Sequence, residues 1–125
     1  MDTGRPLIRE VHLEDFEREV LERSREVPVL VDFWAEWCAP CLVITPVLEG
    51  VVREFGGQVE LAKLEVDEGE NMKLAGRHAV RGFPTVILFI DGREAGRFSS
   101  ARPAAFIRDF IRRHLEGAAS AAGSR

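Results

Sequence analysis

Residues 29–42, VLVDFWAEWCAPCL, constrain this chain more than any other stretch. The run 29–34, apolar but for Asp32, predicts a buried strand. After a turn, Ile44, Val47, Leu48, Val51, Val52 and Phe55 keep the 3.6-residue period of a long helix. Strand and helix meet at Cys38 and Cys41, the chain's 2 cysteines. Helical side chains three apart share a face, and a disulfide needs Cα atoms within about 7 Å. The pair can open and close with little backbone movement, so the segment reads as a reversible redox switch. Pro40 between them brings a helical φ and has no N–H to satisfy in a first turn.

Apolar periodicity extends this unit both ways. Leu13, Phe16, Val20 and Leu21 predict a helix over about residues 12–24, and Pro28 then punctuates. Pro46 is expected to kink the long helix by clashing with the Leu42 carbonyl, and Gly56-Gly57 to end it. Residues 59–66 alternate enough for a strand. Residues 67–70, DEGE, read as a solvated acidic loop, and a short helix is expected over about 71–78. Residues 82–84 interrupt the chain before a strong strand at 85–90. Asp91-Gly92 is a two-residue hairpin signal leading to a strand at about 94–98. Pro103 opens a last helix whose stripe is Phe106, Ile107, Phe110, Ile111 and Leu115. The closing GAASAAGSR reads as a fraying tail. We expect one domain over 1–117 and a flexible tail over 118–125. Strand–helix–strand followed by helix, hairpin and helix is an α/β fold, a central mixed sheet with helices on both faces.

A chain of 125 residues buries roughly two-thirds of its unfolded surface and needs no metal or disulfide staple to fold. Its net charge of −4 argues against a nucleic-acid surface. The start, MDTGRPLIREVHLEDF, has no apolar signal region and no small-residue cleavage site. No stretch approaches the roughly 20 apolar residues of a membrane span. A cytoplasmic protein is expected, and disulfides there tend to be transient and catalytic. Structural zinc wants four ligands and one CxxC supplies two. His12, His78 and His114 fall in helical stretches away from the cysteines, so no metal is expected. The plain alternative is a pair of buried, inert thiols.

A CxxC at the junction of a central strand and a helix is a thioredoxin-like signature. The chain resembles the thioredoxin family over nearly its whole length, through VDFWAEWCAPC at 31–41, AKLEVD at 62–67, RGFPT at 81–85 and DG at 91–92. CxxC alone would be weak, since zinc ribbons share it. The resemblance implies a thioredoxin fold and a protein-disulfide reductase in which Cys38 is the nucleophile and Cys41 resolves the mixed disulfide. The free N–H groups of the helix N-terminus favour a Cys38 thiolate, an effect already known for thioredoxin. Asp32, six residues before Cys38, would lie beneath the disulfide with its pKa raised by burial, a proton acceptor for Cys41. The bland alternative is an aspartate satisfied by backbone donors. Lys63 reads equally as a snorkelling surface residue, and the resemblance makes it the electrostatic partner of Asp32. The resemblance also implies a cis bond at Pro84, with the Phe83 backbone free to pair with an extended substrate segment. Trp37, Ala39, Pro40, Gly82, Phe83 and Pro84 would form an apolar patch around the sulfur.

No bound cofactor is implied. Electrons would come from a flavin-dependent thioredoxin reductase using NADPH. The expected partners are that reductase and target proteins with disulfides, such as reductases and peroxidases, with no nucleic acid and no membrane. A monomer is expected. Four departures from the family pattern bear on partner choice. Ala39 replaces a glycine, Leu42 a lysine or arginine, Ser99-Ser100 a valine-glycine pair, and Phe83 an isoleucine. A disulfide isomerase or oxidase, and a binding module or chaperone with non-essential cysteines, are the competing readings.

Overall fold

The computed structural model describes residues 5–123. Its elements are β1 (Ile8–Glu10), a helical segment over residues 13–25, β2 (Val29–Trp34), α1 (Ala39–Glu54), β3 (Glu60–Glu65), α2 (Met72–Arg77), β4 (Thr85–Ile90), β5 (Arg93–Ser99) and α3 (Ala104–Gly123). They form one five-stranded sheet in the order β1-β3-β2-β4-β5. β1, β3 and β2 run parallel, and β4 and β5 are antiparallel. This is the mixed sheet expected from the alternation of strands and helices.

Side-chain alternation along β2 sorts the two cores. Val29, Val31 and Phe33 join Phe16, Val20, Leu64, Leu74 and Phe89 on one face. Leu30 joins Ile44, Leu48 and Val52 of α1 and Ile107 and Ile111 of α3 on the other. Asp32 alternates with Val31 and Phe33, so it falls on the face covered by α1.

Three features differ from the sequence reading. β1 was not expected. It is three residues long, too short to show a period, and it exists because Ile8 and Glu10 pair with Leu61 and Lys63 of β3. The helix expected over 12–24 is a 3₁₀ turn, Leu13–Asp15, then a wider π-wound stretch, Glu17–Glu22, and a second 3₁₀ turn, Arg23–Arg25. Its buried residues Phe16, Val20 and Ser24 recur every four residues, wider than the 3.6 of an α-helix. α3 runs on to Gly123, past the boundary placed at 117, on a run of alanines, the strongest helix formers. Residues 124–125 of the expected tail lie outside the described residues.

Other signals hold to within a residue or two. α1 ends at Glu54. It is followed by Gly56 and Gly57 with φ of 59° and 97°, which suit glycine. Asp91 and Gly92 both take positive φ, 56° and 81°, as a tight hairpin turn requires. That turn is held from outside by Ser24, whose hydroxyl accepts the Gly92 N–H at 2.8 Å and whose carbonyl accepts the Asp91 N–H at 2.9 Å.

Candidate active site

Cys38 caps α1. Its backbone is extended, with φ −101° and ψ 102°, and its Sγ accepts the Cys41 N–H at 3.2 Å. Its own N–H donates to the Ala35 carbonyl at 3.1 Å, which closes the turn leaving β2. Cys38 and Cys41 are joined in a disulfide with Cα atoms 5.2 Å apart. Cys38 is 6% exposed and Cys41 is fully buried. Cys38 is therefore the more accessible residue of the pair.

The loop before β4 closes over the disulfide. The Phe83 carbonyl oxygen lies 3.5 Å from Cys38 Sγ, and the Phe83–Pro84 peptide bond is cis. Thr85 Oγ1 donates to the Gly82 carbonyl at 2.6 Å, and the Ser100 N–H donates to the Pro84 carbonyl at 3.1 Å, tethering the loop on both sides. Ser100 takes φ 76°, the left-handed region, at a position where the family pattern has glycine.

Trp37 is 67% exposed. Its ring stands edge-on to Phe83 with centroids 5.9 Å apart, and its Nε1–H donates to Asp67 Oδ2 at 2.6 Å. Asp67, read from the sequence only as part of a solvated loop, therefore orients the aromatic side chain next to Cys38. Ala39, Pro40, Leu42, Val43 and Pro46 are all exposed, so the first two turns of α1 show solvent an uncharged apolar face. Glu65 pairs in register with Trp34 at the end of β3. Desolvation, and then the negative charges of Glu36, Glu68, Asp67 and Glu10, hold its carboxyl above the usual range.

Asp32 is the one charged residue in β2, and it is fully buried. Its Oδ2 accepts the Thr45 hydroxyl at 3.2 Å, and its Oδ1 has no hydrogen-bond partner among the described residues. Burial pushes its pKa from 3.8 up to about 7, against the Thr45 hydrogen bond and the Lys63 charge, with Glu49 adding to the rise. A carboxyl poised there exchanges its proton near neutral pH. Lys63 is the register partner of Asp32 on β3. Its Nζ, however, is paired with Glu49 Oε2 at 3.0 Å, so it acts on Asp32 through its field and not through a direct bond.

The structure thus brings Asp32, Trp37, Cys38, Ala39, Pro40, Cys41, Phe83 and Pro84 to one end of the sheet, with Lys63 beside Asp32 on the neighbouring strand β3. Sequence reasoning missed Thr45, Glu49 and Asp67. Residues 41, 45 and 49 repeat every four positions, which places them on one face of α1, but that spacing alone does not set Thr45 and Glu49 apart from any other helical pair. The histidines are engaged elsewhere. His78 packs among Phe16, Phe33 and Phe89, and burial lowers its pKa. His114 Nδ1 lies 2.7 Å from the Phe110 carbonyl, and His12 Nε2 meets Glu68 at 3.1 Å. Among the described residues no three His, Cys, Asp or Glu side chains gather into a metal-binding group.

The thioredoxin family profile matches residues 8–113. The chain belongs to the thioredoxin family. It is 44% identical over 96 residues to the thioredoxin of Pseudomonas aeruginosa, covering 74% of this chain and 85% of that protein. It is 37% identical over 100 residues to thioredoxin 1 of Synechococcus elongatus, covering 80% and 90%. Against the thioredoxin of Haemophilus influenzae it is 34% identical over 105 residues, covering 84% and 96%. This thioredoxin-family chain is a thiol–disulfide oxidoreductase, a protein-disulfide reductase. Thioredoxins carry no cofactor of their own; they act on disulfide-containing target proteins and depend on reductases for electrons. Among the described residues no helix is long and apolar enough to cross a membrane.

Proposed function

We propose that Cys38 is the nucleophile of this reductase, Cys41 the resolving thiol and Asp32 the proton acceptor for Cys41. In the reduced protein the Cys38 thiolate attacks one sulfur of a target disulfide. A Cys38–target bond forms and the other target sulfur leaves as a thiolate. Cys41 then gives its proton to the Asp32 carboxylate and attacks Cys38 Sγ. The internal disulfide forms, the first target sulfur leaves, and two electrons have passed to the target. The observation that carries this order is the burial difference, with Cys38 slightly exposed and Cys41 fully buried and linked through Thr45 to a buried carboxylate. Lys63 is the electrostatic partner of Asp32.

Trp37, Ala39, Pro40, Phe83 and Pro84 form the target-binding surface. The Phe83 carbonyl, 3.5 Å from Cys38 Sγ, offers an extended target segment a main-chain acceptor beside the reacting sulfur. Electrons return through a flavin-dependent reductase that uses NADPH. The protein works in the cytoplasm as a monomer built on one domain.

The test is a redox titration of the Cys38–Cys41 couple in a thiol buffer, followed by the fluorescence of Trp34 and Trp37. A potential near about −270 mV, the value already known for thioredoxin, supports a reductase drawing on a cytosolic donor. A value near about −180 to −120 mV moves the protein to the isomerase or oxidase class. No reversible transition overturns the redox assignment.

A further inference from the structure

Among the described residues the buried carboxylate of Asp32 has one hydrogen-bond donor. Its Oδ2 takes the Thr45 hydroxyl at 3.2 Å, and its Oδ1 takes none among the described residues. The same Thr45 oxygen lies 3.0 Å from the carbonyl of Cys41. A hydroxyl carries a single hydrogen and two lone pairs. Thr45 can therefore donate to an ionised Asp32, or accept from a protonated Asp32 while donating to Cys41. One side chain satisfies both protonation states and joins the carboxyl to the backbone of the resolving cysteine.

Lys63 is the cation best placed to stabilise an ionised Asp32, since the two residues face each other in register across β2 and β3. Its ammonium is bound to Glu49 at 3.0 Å. Glu49 and Thr45 are four apart on α1 and share a face, so one helix face both supports the carboxylate and draws its counter-ion away. Both Lys63 and Glu49 are mostly shielded from solvent, with side-chain exposures of 22% and 24%, where charges are screened less than in water.

We propose that Thr45 and Glu49 are positioning residues for the second exchange step, Thr45 by holding the Asp32 carboxylate in its ionised form beside Cys41 and Glu49 by restraining Lys63. The proposal rests on the reading of Asp32 as the proton acceptor. The charged groups that act on Asp32 are Lys63 from β3 and Glu49 from α1; Cys38 and Cys41 join them once reduced. The two positioning residues push in opposite directions. Thr45 can serve either state but favours the ionised carboxylate, since a hydrogen bond to a charged acceptor is the stronger one. Glu49 disfavours it, by its own charge and by occupying Lys63.

The experiment follows the Asp32 carboxyl carbon by NMR titration in the oxidised protein, where neither cysteine titrates. Thr45→Val, nearly the same shape, removes the donor and moves the Asp32 midpoint up. Thr45→Ser restores it. Glu49→Gln, at a partly exposed helix position that tolerates the change, moves the midpoint down. The double variant falls between. A shift in the same direction for both single variants, or no shift in either, overturns the proposal. The second readout is the pH at which release of a target from its mixed disulfide is half-maximal. It moves with the Asp32 midpoint in each variant, which a merely structural role for Thr45 would not produce. Opposite midpoint shifts with an unmoved release profile also overturn the proposal, and with it the proton-acceptor role of Asp32. Failed midpoint shifts with a release profile that still responds to Asp32→Asn sink the positioning roles alone.

Discussion

Replacing Asp32 with asparagine should stabilise the protein, and the gain should depend on pH in a defined way. In the unfolded chain the carboxyl ionises at its ordinary value of 3.8, whereas burial holds it protonated up to about 7 in the folded protein. Between those two values the unfolded chain has lost a proton that the folded chain keeps. Stability therefore falls as pH rises through this window, and above about 7 the full cost is present. At about 1.36 kcal/mol per pH unit, moving ionisation from 3.8 to about 7 costs about 4 kcal/mol. Asparagine carries no charge, and its carbonyl oxygen can still accept the Thr45 hydroxyl. The variant should gain little below pH 4 and about 4 kcal/mol at pH 8, worth roughly 15 °C in midpoint temperature for a chain of this size.

The assay is urea unfolding of the oxidised wild type and Asp32→Asn at several pH values from about 3.5 to 8.5, with the difference in unfolding free energy plotted against pH. Oxidation keeps both cysteines from titrating, and the other carboxylates are common to both proteins, so they cancel. A difference that opens with rising pH and levels off above about 7 is the expected result. A difference that stays constant across the range refutes the reasoning, because the benefit would then come from packing and not from removing a buried charge.

Three further outcomes follow from the same geometry. Cys38→Ser should abolish reduction of protein disulfides, while Cys41→Ser should complete the first attack only and accumulate a one-to-one disulfide with its target, read by intact mass. Glu60→Gln should destabilise the protein by about 3 kcal/mol, since buried Glu60 accepts from Arg9 at 2.8 Å and Arg23 at 2.6 Å. Burial alone would raise its pKa, but the hydrogen bonds from Arg23 and Arg9 hold it below 4.5. The deficit should therefore be full above pH 4.5 and shrink as acid protonates wild-type Glu60, as urea midpoints at pH 7 and pH 3 will show. Ser100→Gly should stabilise by about 0.5 kcal/mol, because relief of the left-handed strain slightly exceeds the entropy glycine adds to the unfolded chain; a lower urea midpoint would contradict this.

The chemistry of this site was legible because its residues break the local pattern around them. Asp32 is a charge inside an apolar strand, Cys38 and Cys41 sit at a strand–helix junction, and Pro84 interrupts the chain just before β4. Asp32 and Pro84 do nothing for the elements that hold them, and such exceptions mark functional positions. The family resemblance then assigned each exception a role. Thr45, Glu49 and Asp67 give no such signal. A threonine and a glutamate on a helix, or an aspartate in a loop, satisfy every local rule, and their partners lie far along the chain. Thr45 reaches back 13 residues to Asp32, Glu49 ahead 14 to Lys63, and Asp67 back 30 to Trp37. β1 was hidden for the same reason, since its hydrogen bonds come from β3 and not from its own sequence. The reacting groups of a thioredoxin-family protein can thus be read in one dimension. The groups that tune them become visible only once β2, β3 and α1 are packed together, and it is there that this chain can differ from its relatives without altering the reacting groups themselves.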